Sequence, residues 1–152
     1  MNILLVYATN SGTTMTTAQT VNDKLAAKGH TVTMKEARDT TPEDFNSPEV
    51  IVLGSPSWDY EGKEGMPHED YIPLFEKLKG VTHENKPFAV FGLGDSSYKH
   101  FCGSADHLEE LVTSMKGKLI VPSLRIDKFY SDQTGNMDKI NAWADSVIAA
   151  LG

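Results

Sequence analysis

The chain has 152 residues, of which 14 are Lys or Arg and 21 are Asp or Glu, so its formal net charge at pH 7 is −7. That length suits a single domain over residues 1–152, with a core that needs no support from metals or disulfides. The one cysteine excludes an intramolecular disulfide and a cysteine-rich zinc module. The acidic balance argues against nucleic acid as a partner and favours a basic one.

The amino terminus carries an apolar run that is too short for export or membrane insertion. Residues 3–8 form this run, and no basic residue precedes it. A signal peptide needs a longer apolar segment behind positive charge, and a membrane-spanning helix needs about 20 apolar residues. The sequence therefore predicts no membrane contact and a cytoplasmic protein, which agrees with the single thiol.

Five strand-like segments alternate with helical patterns. The segments cover residues 3–8, 31–35, 50–54, 88–93, and 118–121 with 124–126, where only Pro122-Ser123 interrupts the fifth. Runs that are apolar throughout, as in 50–54 and 88–93, belong to strands covered on both faces, and five strands separated by helices imply right-handed crossovers. The pattern predicts an α/β protein with a doubly wound, five-stranded parallel sheet flanked by helices.

Apolar residues recur at helical spacings between these strands. The stripes are Met15, Ala18, Val21 and Leu25, ending before Gly29; Tyr71, Leu74, Phe75 and Leu78, with Pro73 in the first turn; Leu108, Leu111, Val112 and Met115; and Met137, Ile140, Ala144, Val147, Ile148 and Leu151. Trp143 lies beside the last stripe and is expected to pack. Open parallel sheets bind ligands outside the carboxyl ends of their strands, so we expect a site after Ala8, Gly54 and Leu93.

The first of these segments, Thr-Asn-Ser-Gly-Thr-Thr at 9–14, leads directly into a helix. All but the glycine can donate a side-chain hydrogen bond, and a helix start adds N–H groups and partial positive charge, which favours an anion. No Lys or Arg precedes Lys24, which excludes the lysine of a triphosphate-binding loop, and no G-x-G-x-x-G motif is present here. The segment favours a tightly held monophosphate; the alternative is that it only caps the helix.

The second and third segments carry large aromatic residues that helical or strand periodicity does not explain. Ser55–Tyr60 contains Trp58, and Gly92–Gly103 contains Tyr98. Aromatic faces at strand ends suit stacking on a planar ligand, so the two segments can hold a ring between Trp58 and Tyr98. The alternative is that both side chains pack on a neighbouring helix.

Together these three segments resemble a flavodoxin. The resemblance covers nearly the whole chain and is most specific at TNSGTT (9–14), SPSW (55–58) and GLGDSSYKHFCG (92–103). It implies strand order 2-1-3-4-5 and non-covalently bound FMN at the switch point of the sheet, where flavodoxins bind it. The fifth strand has no long insertion, so the chain resembles the short-chain members. The resemblance also implies a monomeric, low-potential carrier of single electrons between a reductase and acceptor enzymes, with redox partner proteins that dock through basic surfaces.

The resemblance also implies roles for particular residues. The first segment would hold the phosphate, Ser55–Ser57 would line the ribityl chain and ring edge, and Trp58 and Tyr98 would enclose the isoalloxazine. Backbone N–H groups near Asp95 and Cys102 would meet the pyrimidine edge. The implied cofactor-binding residues are Thr9, Asn10, Ser11, Gly12, Thr13, Thr14, Ser55, Pro56, Ser57, Trp58, Asp59, Leu93, Gly94, Asp95, Tyr98, Phe101 and Cys102. No catalytic residue and no metal ligand is implied.

An acidic run follows Trp58. It comprises Asp59, Glu61, Glu64, Glu69 and Asp70, against one lysine, Lys63. If it borders the flavin, its charge and the apolar stacking disfavour the anion formed on full reduction, so we expect a low potential for the second electron. The same charges can attract a basic redox partner. The alternative is a solvated run without a role, because salt screens exposed charges beyond about 10 Å.

Asp59 differs from the family pattern, because many flavodoxins have glycine at this position. In the family, the backbone carbonyl at this position turns to accept a bond from the protonated flavin nitrogen of the semiquinone. The turned form can require positive φ, which costs Asp more than Gly. We therefore hypothesise that Asp59 weakens stabilisation of the semiquinone.

Other chemistry fits the sequence less well. Four possible metal ligands, His100, Cys102, Asp106 and His107, have no zinc spacing, and Cys102 is expected to be a small buried residue and not a nucleophile. His68 is expected to be a surface histidine, with titration beside the acidic run as the alternative. A receiver domain would need acids after the first and third strands, which are absent. A flavin-dependent reductase and an activator of a metalloenzyme remain as alternative functions.

Overall fold

The computed structural model describes residues 1–8, 12–60, 63–95 and 102–152, without the side chains of residues 58–60, 63 and 64. The helices are α1 (Thr13–Ala27), α2 (Tyr71–Lys77), α3 (Gly103–Ser114) and α4 (Gln133–Leu151). The strands are β1 (Asn2–Tyr7), β2 (Thr31–Glu36), β3 (Val50–Tyr60), β4 (Lys63–Pro67), β5 (Pro87–Gly94), β6 (Lys118–Leu119) and β7 (Leu124–Asp127). None of the described helices is long and apolar enough to cross a bilayer.

The parallel strands form one sheet in the order β2-β1-β3-β5-β6, with β7 also paired to β5. Because β6 and β7 pair in parallel with opposite ends of β5, from Pro87↔Lys118 to Gly94↔Asp127, together they form the predicted fifth strand. The predicted fold class and strand order are therefore confirmed. That residues 1–152 form a single domain stays a prediction.

Both faces of the sheet are covered, as strands that are apolar throughout predict. Leu5, Val52 and Phe91 belong to a buried cluster with residues of α1 and α4. Leu53 and Val90 belong to a second cluster, with residues of α2 and α3. The central strands thus contribute alternate side chains to two cores, which is why their sequences show no polar alternation.

The apolar stripe of α1 starts at a different residue from the predicted one. Met15 is 41% exposed, whereas Thr14 is buried together with the other three residues of the stripe. Thr14 is four residues before Ala18, so helical geometry places it on the buried face although it is not apolar. Trp143 packs as predicted, and its Nε1 donates to the Pro122 carbonyl oxygen over 3.0 Å.

β3 is longer than the predicted strand. Residues 55–60, expected to follow the end of the strand, instead continue β3. The strand pairs in parallel with β5 as far as Pro56↔Leu93 and antiparallel with β4 farther on. The register shifts between Trp58 and Tyr60, and Gly65 of β4 has a φ of 72°. The antiparallel partner supplies backbone hydrogen bonds beyond the parallel sheet, a tertiary effect that the sequence pattern does not reveal.

Candidate functional site

Three strand ends meet at one edge of the sheet. The Ala8 N–H donates to the Gly54 carbonyl oxygen over 3.2 Å, which joins the end of β1 to β3. β3 in turn pairs in parallel with β5 up to Pro56↔Leu93. Ala8, Gly54 and Leu93 therefore lie at the same edge, where this topology predicts a ligand site.

The first segment enters α1 through a glycine. Thr9, Asn10 and Ser11 lie outside the described residues. Gly12 is the N-cap of α1 with a φ of 89°, a left-handed conformation that favours glycine. Its carbonyl oxygen accepts from the Thr16 N–H at 3.0 Å. Because Gly12 has no side chain to cap the helix, the described residues do not favour the alternative in which this segment serves only as a cap.

Thr14 presents a buried hydroxyl in the first turn of α1. The side chain is fully buried, and Oγ1 has no hydrogen-bond partner among the residues that the structure describes. The hydroxyls of Thr16 and Thr17 differ, since they donate to the carbonyl oxygens of Gly12 and Thr13 within the same stretch. A buried hydroxyl without a partner costs about 1–3 kcal/mol. Beside a helix N-terminus, such a hydroxyl fits an oxyanion such as phosphate.

Ser55 and Ser57 use their hydroxyls to bind other parts of the protein. Ser55 Oγ accepts from the His68 N–H at 2.8 Å and donates to the Pro56 carbonyl oxygen at 2.8 Å. Ser57 Oγ donates to Ser104 Oγ at 3.0 Å and accepts from the Ser104 N–H at 3.2 Å. Ser104 Oγ donates in turn to the Ser55 carbonyl oxygen at 3.1 Å. These bonds join β3 to the start of α3, and the expected contacts of residues 55–57 with a cofactor stay predictions.

The residues expected to enclose a planar ring fall largely outside what the structure describes. Trp58 and Asp59 lie in β3, but their side chains are not described. Tyr98 and Phe101 lie outside the described residues. Their contacts with a ring therefore stay predictions that rest on the sequence.

The third segment rejoins the described chain at Cys102. Gly94, the last residue of β5, lies so close that a Cβ on it would be 2.9 Å from the Cys102 nitrogen. Cys102 is fully buried, and burial raises the pKa of its thiol to about 12, although the charge of Arg125 lowers it in part. The thiol is therefore protonated at neutral pH and a poor nucleophile. The prediction of a small buried residue is confirmed.

Leu93 and Asp95, on either side of Gly94, have different surroundings. The Leu93 side chain is buried in the cluster that includes α1 and α4. The Asp95 carboxylate is half-buried and lies 3.9 Å from Lys128 Nζ. The Lys128 N–H donates to the Gly94 carbonyl oxygen over 2.8 Å, so the end of β7 supports the start of the third segment.

Two residues that no motif identified hold this edge together. Tyr71 is fully buried, and its hydroxyl lies 2.9 Å from the Val6 carbonyl oxygen and 3.0 Å from that of Gly54. Arg125 Nη1 donates to the Cys102 carbonyl oxygen over 3.1 Å. The sequence shows Tyr71 only as a member of a helical stripe and Arg125 only as a polar position in a strand, so neither pattern indicates these bonds.

The prediction that His68 is a surface histidine is wrong. The residue is 5% exposed, and its Nδ1 accepts from the Asp70 N–H at 3.1 Å and lies 3.5 Å from Asp70 Oδ2. The reason is the unpredicted β3–β4 pairing, which returns the chain to β3 and lets the His68 N–H bind Ser55. Of the acidic run, Glu69 is exposed and Asp70 is half-buried.

Comparison with known proteins resolves the family. The family model described as flavodoxin matches residues 5–143. The chain belongs to the flavodoxin family. This flavodoxin is 32% identical over 151 residues to a flavodoxin of Nitratidesulfovibrio vulgaris, and the match covers 99% of each chain. It is similar in structure to oxidised flavodoxin 2 from Bacillus cereus, with a TM-score of 0.86, 27% identity, and coverage of 96% of this chain and 97% of that one.

A flavodoxin from Fusobacterium nucleatum, solved bound to flavin mononucleotide, has the same fold. Its TM-score is 0.83 at 18% identity, with 97% of each chain covered. Flavodoxins are flavin-binding electron-transfer proteins, not enzymes, and they interact with redox partner proteins. The general activity of this flavodoxin is therefore electron transfer.

Proposed function

We propose that this flavodoxin binds FMN non-covalently and carries single electrons at low potential between a reductase and acceptor enzymes. The observation that carries the proposal is the buried Thr14 hydroxyl in the first turn of α1, which has no partner among the described residues. FMN supplies the electron-transfer chemistry when it is bound. The protein supplies a phosphate site, a place for the ring and the surroundings that set the potential.

One set of these residues would bind the phosphate of FMN and another would bind its ring. Backbone N–H groups at the start of α1 and the Thr14 hydroxyl would donate to the phosphate, in a segment where no basic residue precedes Lys24. Trp58 and Tyr98 would enclose the ring. The full proposed set is Thr9, Asn10, Ser11, Gly12, Thr13, Thr14, Ser55, Pro56, Ser57, Trp58, Asp59, Leu93, Gly94, Asp95, Tyr98, Phe101 and Cys102.

The proposal extends to partners with basic docking surfaces. The chain has a net charge of −7, and five acidic residues lie between positions 59 and 70. Negative charge attracts a basic partner, and it disfavours a further negative charge on a nearby ring. A monomeric state and a cytoplasmic location stay predictions from the sequence.

Titration with FMN and with riboflavin, which lacks the phosphate, tests the proposal. The wild-type chain should bind FMN and become yellow, and acid should release the flavin. Thr14→Val should weaken FMN binding about 10- to 100-fold, as expected for a lost hydrogen bond to a charged group, and should leave riboflavin binding nearly unchanged. It should not destabilise the apo-protein, because the hydroxyl that it removes has no partner in the described part of the chain.

Thr17→Val is the matched control. Thr17 is equally buried on the same helix, but its hydroxyl donates to the Thr13 carbonyl oxygen over 3.0 Å, so the variant should keep its affinity for FMN. Equal losses in the two variants, or a wild-type chain that stays colourless in excess FMN, would contradict the proposal. Turnover of NADPH by the isolated protein would support the flavin-dependent reductase instead.

A further inference from the structure

Hydrogen bonds of two side-chain hydroxyls join the β3–β4 hairpin to the start of α3. Ser57 Oγ donates to Ser104 Oγ at 3.0 Å and accepts from the Ser104 N–H at 3.2 Å. Ser104 Oγ then donates to the Ser55 carbonyl oxygen at 3.1 Å. We call Ser57, Ser104 and the Ser55 carbonyl the serine latch. Ser104 is fully buried, so its side chain contacts only protein.

Close backbone contacts bring the same elements together. A Cβ on Gly103 would lie 2.4 Å from the Gly65 carbonyl oxygen. A Cβ on Gly92 of β5 would lie 2.9 Å from Ser104 Oγ. No larger residue fits at either glycine without movement, so the hairpin, β5 and α3 have little room to shift against one another.

We infer that Ser57 and Ser104 are positioning residues that set the separation between β3 and the start of α3, the two elements that lead into the proposed ring site. The inference rests on the proposed function, in which the ring lies between the Trp58 end of the hairpin and the segment that leads into α3. Ser57 Oγ both donates to and accepts from Ser104, so its hydrogen is bound within the protein and the hydroxyl links β3 to α3. The latch holds these two elements in place before the ring binds, which lowers the ordering cost of binding.

The latch is separate from the phosphate site. In the described part of α1, hydroxyls near the start of the helix donate to carbonyl oxygens of the same segment. Thr16 donates to Gly12 and Thr17 donates to Thr13. The latch bonds join only β3 and α3. Loss of the latch should therefore weaken binding of the ring and leave the contribution of the phosphate unchanged.

Ser104→Ala and Ser57→Ala, each titrated with FMN and with riboflavin, test the inference. Each variant loses two neutral hydrogen bonds and should bind both flavins at least about fivefold more weakly, the factor expected for one such bond. The ratio of the two affinities should stay constant. The visible circular dichroism of the bound flavin should also change. The double variant should lose less than the sum of the two single losses, because both substitutions remove the bond between the two hydroxyls. Ser57→Thr keeps the hydroxyl and should restore wild-type binding.

Ser114→Ala is the control for a general loss of stability. Its hydroxyl donates to the Leu111 carbonyl oxygen at the other end of α3, so both affinities and the spectrum should match the wild type. If Ser104→Ala binds riboflavin as the wild type does, the inference is wrong. If only Ser57→Ala weakens binding, Ser57 contacts the ligand directly and the inference is again wrong. A wild-type chain that binds neither flavin overturns the proposed function itself, whereas the other two outcomes overturn the latch alone.

Discussion

Single residues with left-handed backbone conformations shape the carboxyl edge of the sheet. Gly12, Gly65, Cys102 and Lys128 have φ values of 89°, 72°, 50° and 45°. The conformation costs little at glycine but about 1–2 kcal/mol at a residue with a Cβ. Specific bonds hold the two non-glycine residues in place, from Arg125 to the Cys102 carbonyl and from the Lys128 N–H to the end of β5. The other two described non-glycine residues with positive φ, Asn85 and Lys116, lie before the starts of β5 and β6.

Asp59 lies between Trp58 and Tyr60, where the register with β4 shifts. If one-electron reduction of the flavin requires this peptide to turn to positive φ, Asp opposes the turn more than Gly does. Asp59→Gly should therefore raise the maximal fraction of one-electron-reduced protein in a redox titration followed by absorbance. Asp59→Ala removes the charge and keeps the Cβ, so an equal rise in that variant would contradict the backbone explanation.

At the scale of elements, Tyr71 connects α2 to two strands. It is the first residue of α2, and its hydroxyl lies between the carbonyl oxygens of Val6 in β1 and Gly54 in β3. Burial raises the pKa of this hydroxyl far above its usual value of 10, so it stays a hydrogen-bond donor throughout the ordinary pH range. A helix as short as α2 is not stable alone and depends on such tertiary contacts.

Tyr71→Phe should lower the free energy of unfolding of the apo-protein by about 1 kcal/mol, because the side chain keeps its packing and loses its hydrogen bond. Urea unfolding followed by circular dichroism measures the change. Tyr130→Phe is the matched control, since Tyr130 is 66% exposed and its substitution should have little effect. A midpoint for Tyr71→Phe equal to that of the wild type would show that the bond does not hold α2 to the sheet.

At the scale of the whole molecule, one histidine links the stability of the fold to pH. Burial lowers the pKa of His83 from the usual 6.5, and the charge of Lys86 lowers it further. Its Nε2 is buried without a hydrogen-bond partner in the described part of the chain, and its ring stacks on Phe45 with centroids 6.2 Å apart. The folded protein therefore binds this proton less readily than the unfolded chain does.

The free energy of unfolding should consequently fall as the pH is lowered through about 6.5, and the loss due to His83 should end below its folded pKa. His83→Gln removes the titrating group, so its stability should depend less on pH over this interval. Urea unfolding of both proteins at pH 8, 6.5 and 5 measures the difference. Identical pH profiles would show that His83 does not contribute.

The order of the elements and the positions of the site segments could be predicted from the sequence, because local patterns carry that information. Strands buried on both faces are apolar throughout, as in residues 50–53 and 88–91, and this follows from the chemistry of each residue. The first segment combines donors, a glycine at the N-cap and a helix start, so its suitability for an anion is also local. The predicted sheet and the family follow from such patterns.

Which polar groups meet between different strands and helices depends on the tertiary structure. Ser57 and Ser104, or Tyr71 and Gly54, are far apart in the sequence, and their contact depends on how β3 extends past the sheet and packs on α2 and α3. His68, which the sequence predicts to lie at the surface, is buried for the same reason, because β3 pairs with β4. Periodicity within one element reports which face is buried, but a hydrogen bond between elements depends on distances that local patterns do not contain.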